Sequence, residues 1–171
     1  MVSFVGLLRA VNVGGTGKLA MTDLKAICEA AGFSSVRTYI ASGNVVFGSG
    51  RGQPEAKAAL EAGLRAYAGK PIRAILRTAH EMAGIVQRNP FPNSPPNHVM
   101  TIFLDNPPSP TDLDSVAGRG ENEELRLGSR EIYVRYGGGM ANSKLRIPAA
   151  NAGTARNMNT VAKLAAMVAE L

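Results

Sequence analysis

Apolar residues fall in short blocks along this chain, and the spacing within each block separates strands from helices. Residues 2–9, Val-Ser-Phe-Val-Gly-Leu-Leu-Arg, are almost continuously apolar and end in glycine punctuation, which predicts a largely buried strand. Residues 22–31 carry apolar side chains at helical spacing, with Thr22 set as N-cap and Gly32 as the stop. The β-rich runs 36–41 and 45–47 flank Ser42-Gly-Asn44, a hairpin signal. A helix over 54–67, with proline in its first turn, and a strand over 71–77 follow. The order β-α-β-β-α-β is that of a ferredoxin-like plait.

A helix over 78–87 leads into Asn89-Pro-Phe-Pro-Asn-Ser-Pro-Pro-Asn97, where proline removes donors and restricts its neighbours. That segment is the expected boundary, giving subdomains 1–88 and 89–171. Beyond it the pattern predicts a strand over 98–104, a short helix over 111–116, and paired strands 124–127 and 132–136 about Gly128-Ser129. A C-terminal helix is expected over 156–170, with Val161, Leu164, Ala165 and Val168 on one face. The second half reads as a shorter copy of the first in element order. The expected class is α+β, two ferredoxin-like subdomains packed as one compact unit.

The length of 171 residues suffices to bury roughly 70% of the unfolded surface without a disulfide or metal staple. The single cysteine, Cys28, fits a reducing compartment and reads as a small buried hydrophobe rather than a catalytic thiol. Residues 1–8 lack the basic start of a signal peptide, and no run approaches the ~20 apolar residues of a membrane span. A cytoplasmic protein with no membrane partner is expected. The net charge of +6 favours anionic partners, but it is dispersed rather than blocked.

Three polar segments exceed what the scaffold needs. In Arg9-Ala-Val-Asn-Val-Gly-Gly-Thr-Gly-Lys18, three glycines within four residues allow successive amides to form an anion nest beside Lys18. A flexible strand-to-helix connector is the competing reading. The loop is not a Walker A motif: Asn12 stands where its first glycine belongs, and Leu19 where Ser or Thr follows the lysine. Ser42 and Asn44 are either turn residues or site residues. An antiparallel neighbour of the first strand starts beside the glycine loop, which brings them toward Asn12. The third segment joins Asn142-Ser-Lys144 to Gly153-Thr-Ala-Arg-Asn-Met-Asn159, where Arg156, Asn157 and Asn159 are expected at a helix start suited to anions.

Leu7 to Gly15, Arg37 to Phe47, Asn89-Pro-Phe-Pro92, Ser143-Lys-Leu145 and Gly153 to Thr160 together resemble the bacterial domain of unknown function 1697 family. The resemblance implies two ferredoxin-like plaits and no established biochemical activity. Ala10 departs from the usual glycine of that pattern, and Met158 from the usual tryptophan.

His80 and His98 lack metal-ligand spacing, no nucleophile elbow is present, and Glu121, Glu123 and Glu124 read as a solvated loop. No cofactor is expected and no catalytic residue is identified. Tyr39 and Phe47 could stack on bases, but the RNA-binding signature of basic residue, glycine and aromatic is missing. The leading expectation is a small phosphate- or carboxylate-bearing ligand, bound or turned over in an inter-subdomain cleft. Its candidate residues are Arg9, Asn12, Gly14, Gly15, Lys18, Ser42, Asn44, Lys144, Arg156, Asn157 and Asn159. The alternatives are a nucleic-acid-binding module, not favoured, and a structural or protein-interaction module without a ligand.

Overall fold

The computed structural model describes residues 1–12 and 18–171. The chain divides into two compact units, residues 1–83 with 164–171, and residues 84–163. The proline-rich segment 89–97 lies inside the second of these, and the division falls within a helix.

The first unit runs β1 (Val2–Leu8), α1 (Met21–Ala30), β2 (Ser34–Thr38), β3 (Asn44–Ser49), α2 (Gln53–Ala68), β4 (Ala74–Thr78), and then α3 (Ala79–Gln87), which crosses into the second unit. Its sheet has the order β2-β3-β1-β4 and is antiparallel throughout. Side chains alternate across it. Phe4, Leu8, Val45, Phe47, Ala74 and Leu76 meet Leu24 and Cys28 of α1 and Ala56, Leu60 and Leu64 of α2 in one core. Phe33 stacks on Phe47 with centroids 4.1 Å apart. On the opposite face Val5, Leu7, Val46 and Ile75 are also buried. Arg77 shares that face at 1% exposure, its Nη1 donating to Leu76 O. At the sheet edge, Arg37 of β2 pairs with Glu170 at 2.9 Å.

Thr22 is not the cap of α1. The helix starts at Met21, and Ala20 stands at the N-cap with no side-chain bond; its carbonyl accepts from the Asp23 and Leu24 amides. The α2 prediction holds, proline included.

The second unit contains β5 (Val99–Phe103), α4 (Thr111–Asp114), β6 (Glu123–Leu127), β7 (Glu131–Tyr136), β8 (Thr154–Asn157) and the start of α5 (Met158–Ala169). Its order, β6-β7-β5-β8, repeats the first: the opening strand is central and the closing strand lies on its far edge. Ile102, Leu104, Leu125, Ile132, Val134 and Tyr136 form its core. Leu145, Ile147 and Ala150, the last in a 3₁₀ turn over Pro148–Ala152, pack against it. The protein is α+β, two ferredoxin-like subdomains.

Two expectations for this half are corrected. Residues 154–157 are a strand, not the start of the C-terminal helix, because their backbone pairs with β5, Thr101 opposite Arg156 and Phe103 opposite Thr154. Glu123 is not a solvated loop residue: it opens β6 at 8% exposure and accepts the Gly120 amide at 2.7 Å and the Ser143 hydroxyl. Among the described residues no helix is long and apolar enough to cross a membrane.

Candidate anion-binding site

The end of β1 leaves the sheet through two residues in left-handed backbone, Ala10 at φ 54° and Asn12 at φ 55°. Asparagine tolerates that region, whereas a methyl side chain is strained there. Asn12 then closes the base of the loop. Its Oδ1 accepts the Leu19 amide at 2.7 Å, and its Nδ2 donates to Leu19 O at 2.8 Å and to Ala41 O at 2.7 Å. One side chain thus joins both ends of the glycine loop to the β2–β3 turn. Gly14 and Gly15 lie outside the described residues.

The turn reaches Asn12 because β3 runs antiparallel to β1, with Asn44 opposite Leu7. Asn44 is fully buried, and its Nδ2 donates to Tyr39 O and to Ser42 Oγ, each at 2.9 Å. Gly43 sits at φ +85°, and a Cβ there would come within 2.6 Å of Val11 Cγ2 and 2.8 Å of Leu8 Cβ. Its carbonyl accepts the Leu8 amide at 2.8 Å. Ser42 and Asn44 therefore meet Asn12 as neighbours in a hydrogen-bonded corner, and their polar groups face the backbone.

Beside this corner lies a cavity of about 450 Å³. Val11, Leu19 and Ile72 give it apolar wall, Lys18 and Lys70 bring ammonium groups, and Tyr67 contributes a ring. Tyr67 is 47% exposed, and its hydroxyl donates to Asp23 Oδ2 at 2.9 Å. That bond, with a smaller contribution from burial, raises the phenol above its ordinary range. Sequence reasoning found Lys18 here and missed Lys70 and Tyr67. Tyr67 lies in the last turn of an unremarkable amphipathic helix and Lys70 just beyond it, and only folding brings them beside Ala10, Val11, Lys18 and Leu19. Arg9 is half-buried beside the cavity's Ala10, and its amide donates to Arg73 O at 2.9 Å.

In the second unit Arg156 is 7% exposed, and its Nη1 donates to Thr154 Oγ1 at 2.7 Å and Ala155 O at 2.9 Å. Burial lowers the guanidinium to about 10. Asn157 Oδ1 accepts the Thr160 amide at 3.0 Å, so Asn157 caps α5, and Asn159 is exposed in its first turn. Met158 is buried at 5% exposure, the packing use of a flexible apolar side chain. Lys144 is exposed on a shallower cavity of about 310 Å³ with Asn142, Ser143 and Glu123. Among the described residues no group of three or more His, Cys, Asp or Glu could hold a metal ion.

The model of a family described as Protein of unknown function (DUF1697) matches residues 1–133. A solved structure, that of the conserved bacterial protein SP0830 from Streptococcus pneumoniae, is similar with a TM-score of 0.80 at 21% identity, covering 98% of each chain. At that identity the likeness carries the fold alone. No curated protein matches the chain.

Proposed function

We propose that this chain, which belongs to the DUF1697 family, is a cytoplasmic protein that binds a small phosphate- or carboxylate-bearing ligand in the cavity of its first unit. One observation carries the reading: Lys18 and Lys70 both line a cavity of about 450 Å³ whose remaining wall is mostly apolar. A recess of that size lies within the range of small-molecule sites, which are largely apolar with a few polar groups that orient the ligand. Two ammonium groups set against such a wall favour an anion, and the net charge of +6 attracts it from a distance.

The test is a thermal-shift panel of inorganic phosphate, sugar phosphates, nucleotides and short carboxylates. A ligand at a hundred times its Kd adds about 2.7 kcal/mol, a rise in Tm of roughly 5–10 °C for a chain of this size. Lys18→Ala and Lys70→Ala should each weaken binding about tenfold, the scale of one charge-assisted hydrogen bond. A flat response to every anion, or full affinity in the double variant, overturns the reading.

For the polar motif residues a second reading has support. Asn12, Asn44 and Arg156 hydrogen-bond to backbone and neighbouring side chains, which suits a scaffold role. On that reading their substitution costs stability and leaves ligand affinity per folded molecule unchanged.

A further inference from the structure

The wall of the lysine cavity narrows the ligand further than its charge does, and this step rests on the anion-binding reading above. An inorganic anion placed between Lys18 and Lys70 leaves most of the cavity empty and leaves the half-buried Ile72 and the exposed Tyr67 facing water. A sugar phosphate brings hydroxyl groups against the same surfaces, where they lose water and gain no partner. A flat ring fits that wall. It displaces water from Ile72 and meets the exposed aromatic side chain of Tyr67.

Tyr67 is prepared for that contact. Tyr67 lines the cavity at 47% exposure, and its hydroxyl is anchored on Asp23 Oδ2 at 2.9 Å. The anchor occupies the one polar atom of the ring and restrains the plane, so less rotamer freedom is lost when a second ring stacks. Asp23 sits in the first turn of α1 and Tyr67 near the end of α2. Asp23 is thus a positioning residue. It does not line the cavity and acts through the phenol.

We propose that the ligand is an anion carrying a flat ring, the chemistry of a nucleoside monophosphate, with its phosphate between Lys18 and Lys70 and its base stacked on Tyr67. Two sources share that chemistry, a free nucleotide and a nucleotide within a single strand. Of the two aromatics weighed for base stacking, Phe47 is fully buried against Phe33, and Tyr39 is half-buried and does not line this cavity. A strand would therefore find a foothold for one base here, which favours the free nucleotide.

The chain has no tryptophan and four tyrosines, so its ultraviolet fluorescence is tyrosine emission. Titrating the protein calorimetrically with adenosine monophosphate, ribose 5-phosphate and inorganic phosphate gives the three affinities, and quenching of tyrosine emission by the nucleotide reads the ring contact. The nucleotide should bind about tenfold more tightly than ribose 5-phosphate, the scale of one base–aromatic stack. Tyr67→Ala should abolish that preference while leaving ribose 5-phosphate affinity in place; Tyr67→Phe, which keeps the ring and loses its anchor on Asp23, should reduce it in part and lose the Tyr67 share of the quenching. Asp23→Asn should reduce the preference only in part. All four side chains involved are on the surface, and an unchanged ligand-free Tm for each variant verifies the fold.

Equal affinity for nucleotide and ribose 5-phosphate, or an intact preference in Tyr67→Ala, overturns this inference. If the lysine variants still lose affinity in that case, the anion site stands without its ring. Absence of binding by all three probes takes down both. A short single-stranded oligonucleotide identifies the source: binding steep in salt and lost in Tyr67→Ala assigns the base to a strand, and monophosphate binding alone assigns it to the free pool.

Discussion

Ala10 carries a methyl group in a backbone region that costs an L-residue roughly 1–2 kcal/mol, at φ 54°. Glycine at that position relieves the strain and gives back part of the gain as unfolded-state entropy. Ala10→Gly should therefore stabilise the protein by about 0.5–1 kcal/mol, read as a rise in denaturant midpoint at constant slope. Asn12 bears three hydrogen bonds to backbone, so Asn12→Ala should cost about 1–2 kcal/mol. Asn44 is fully buried, and Asn44→Ala orphans Tyr39 O at a cost of about 2–3 kcal/mol. If Asn44→Ala instead abolished ligand binding at unchanged stability, the hydrogen-bonded corner would be a binding wall rather than a brace.

At the scale of elements, each unit hangs on a close backbone approach at the edge of its first strand. In the first, Gly43 brings the β2–β3 turn against Leu8 and Val11 at φ +85°. Gly43→Ala adds left-handed strain to steric overlap, and a loss of about 2–3 kcal/mol should follow. In the second, a Cβ on Gly153 would lie 2.2 Å from Phe103 O, at the point where β8 begins its pairing with β5. Gly153→Ala should loosen β8, seen as faster amide exchange at residues 154–157 with β6 and β7 still protected. Equal exchange in both proteins would remove Gly153 from that role.

The whole molecule should lose stability in alkali, and the sign follows from three buried acids. Burial, aided by Glu29, pushes the Cys28 thiol from 9.0 up to about 12. The folded protein keeps that proton where the unfolded chain releases it. The stabilisation is thus complete below pH 9 and disappears as pH climbs toward 12, with a limiting slope of about 1.4 kcal/mol per pH unit. Tyr133, buried and pushed to about 12, and Tyr136, raised mainly by burial, add the same sign from pH 10 upward. Arg156 opposes them there, because its lowered value makes the folded state shed a proton first. Between pH 9 and 10 Cys28 dominates among these groups, so Cys28→Ala should flatten that part of the curve even if it lowers the plateau. Urea midpoints measured from pH 8 to 10 check this, and an identical slope in the variant contradicts it.

Periodicity by itself determined the first plait: β1, α2 and the βαββαβ order are written in runs of apolar residues whose burial is their cause. Antiparallel pairing even foretold that Ser42 and Asn44 approach Asn12. The strand β8 was illegible, since Thr-Ala-Arg-Asn has no alternation and becomes a strand only through the carbonyls and amides of β5. Glu123 looked solvated for the same reason, its hydrogen bonds being made with a loop and with Ser143, twenty residues away. Composition marked Lys18 as a candidate but could not join it to Lys70 and Tyr67, because a cavity wall is assembled from segments that have no signal in common along the chain. What local spacing encodes is which residues must leave water; which polar groups are left facing it together is decided by how the buried ones pack.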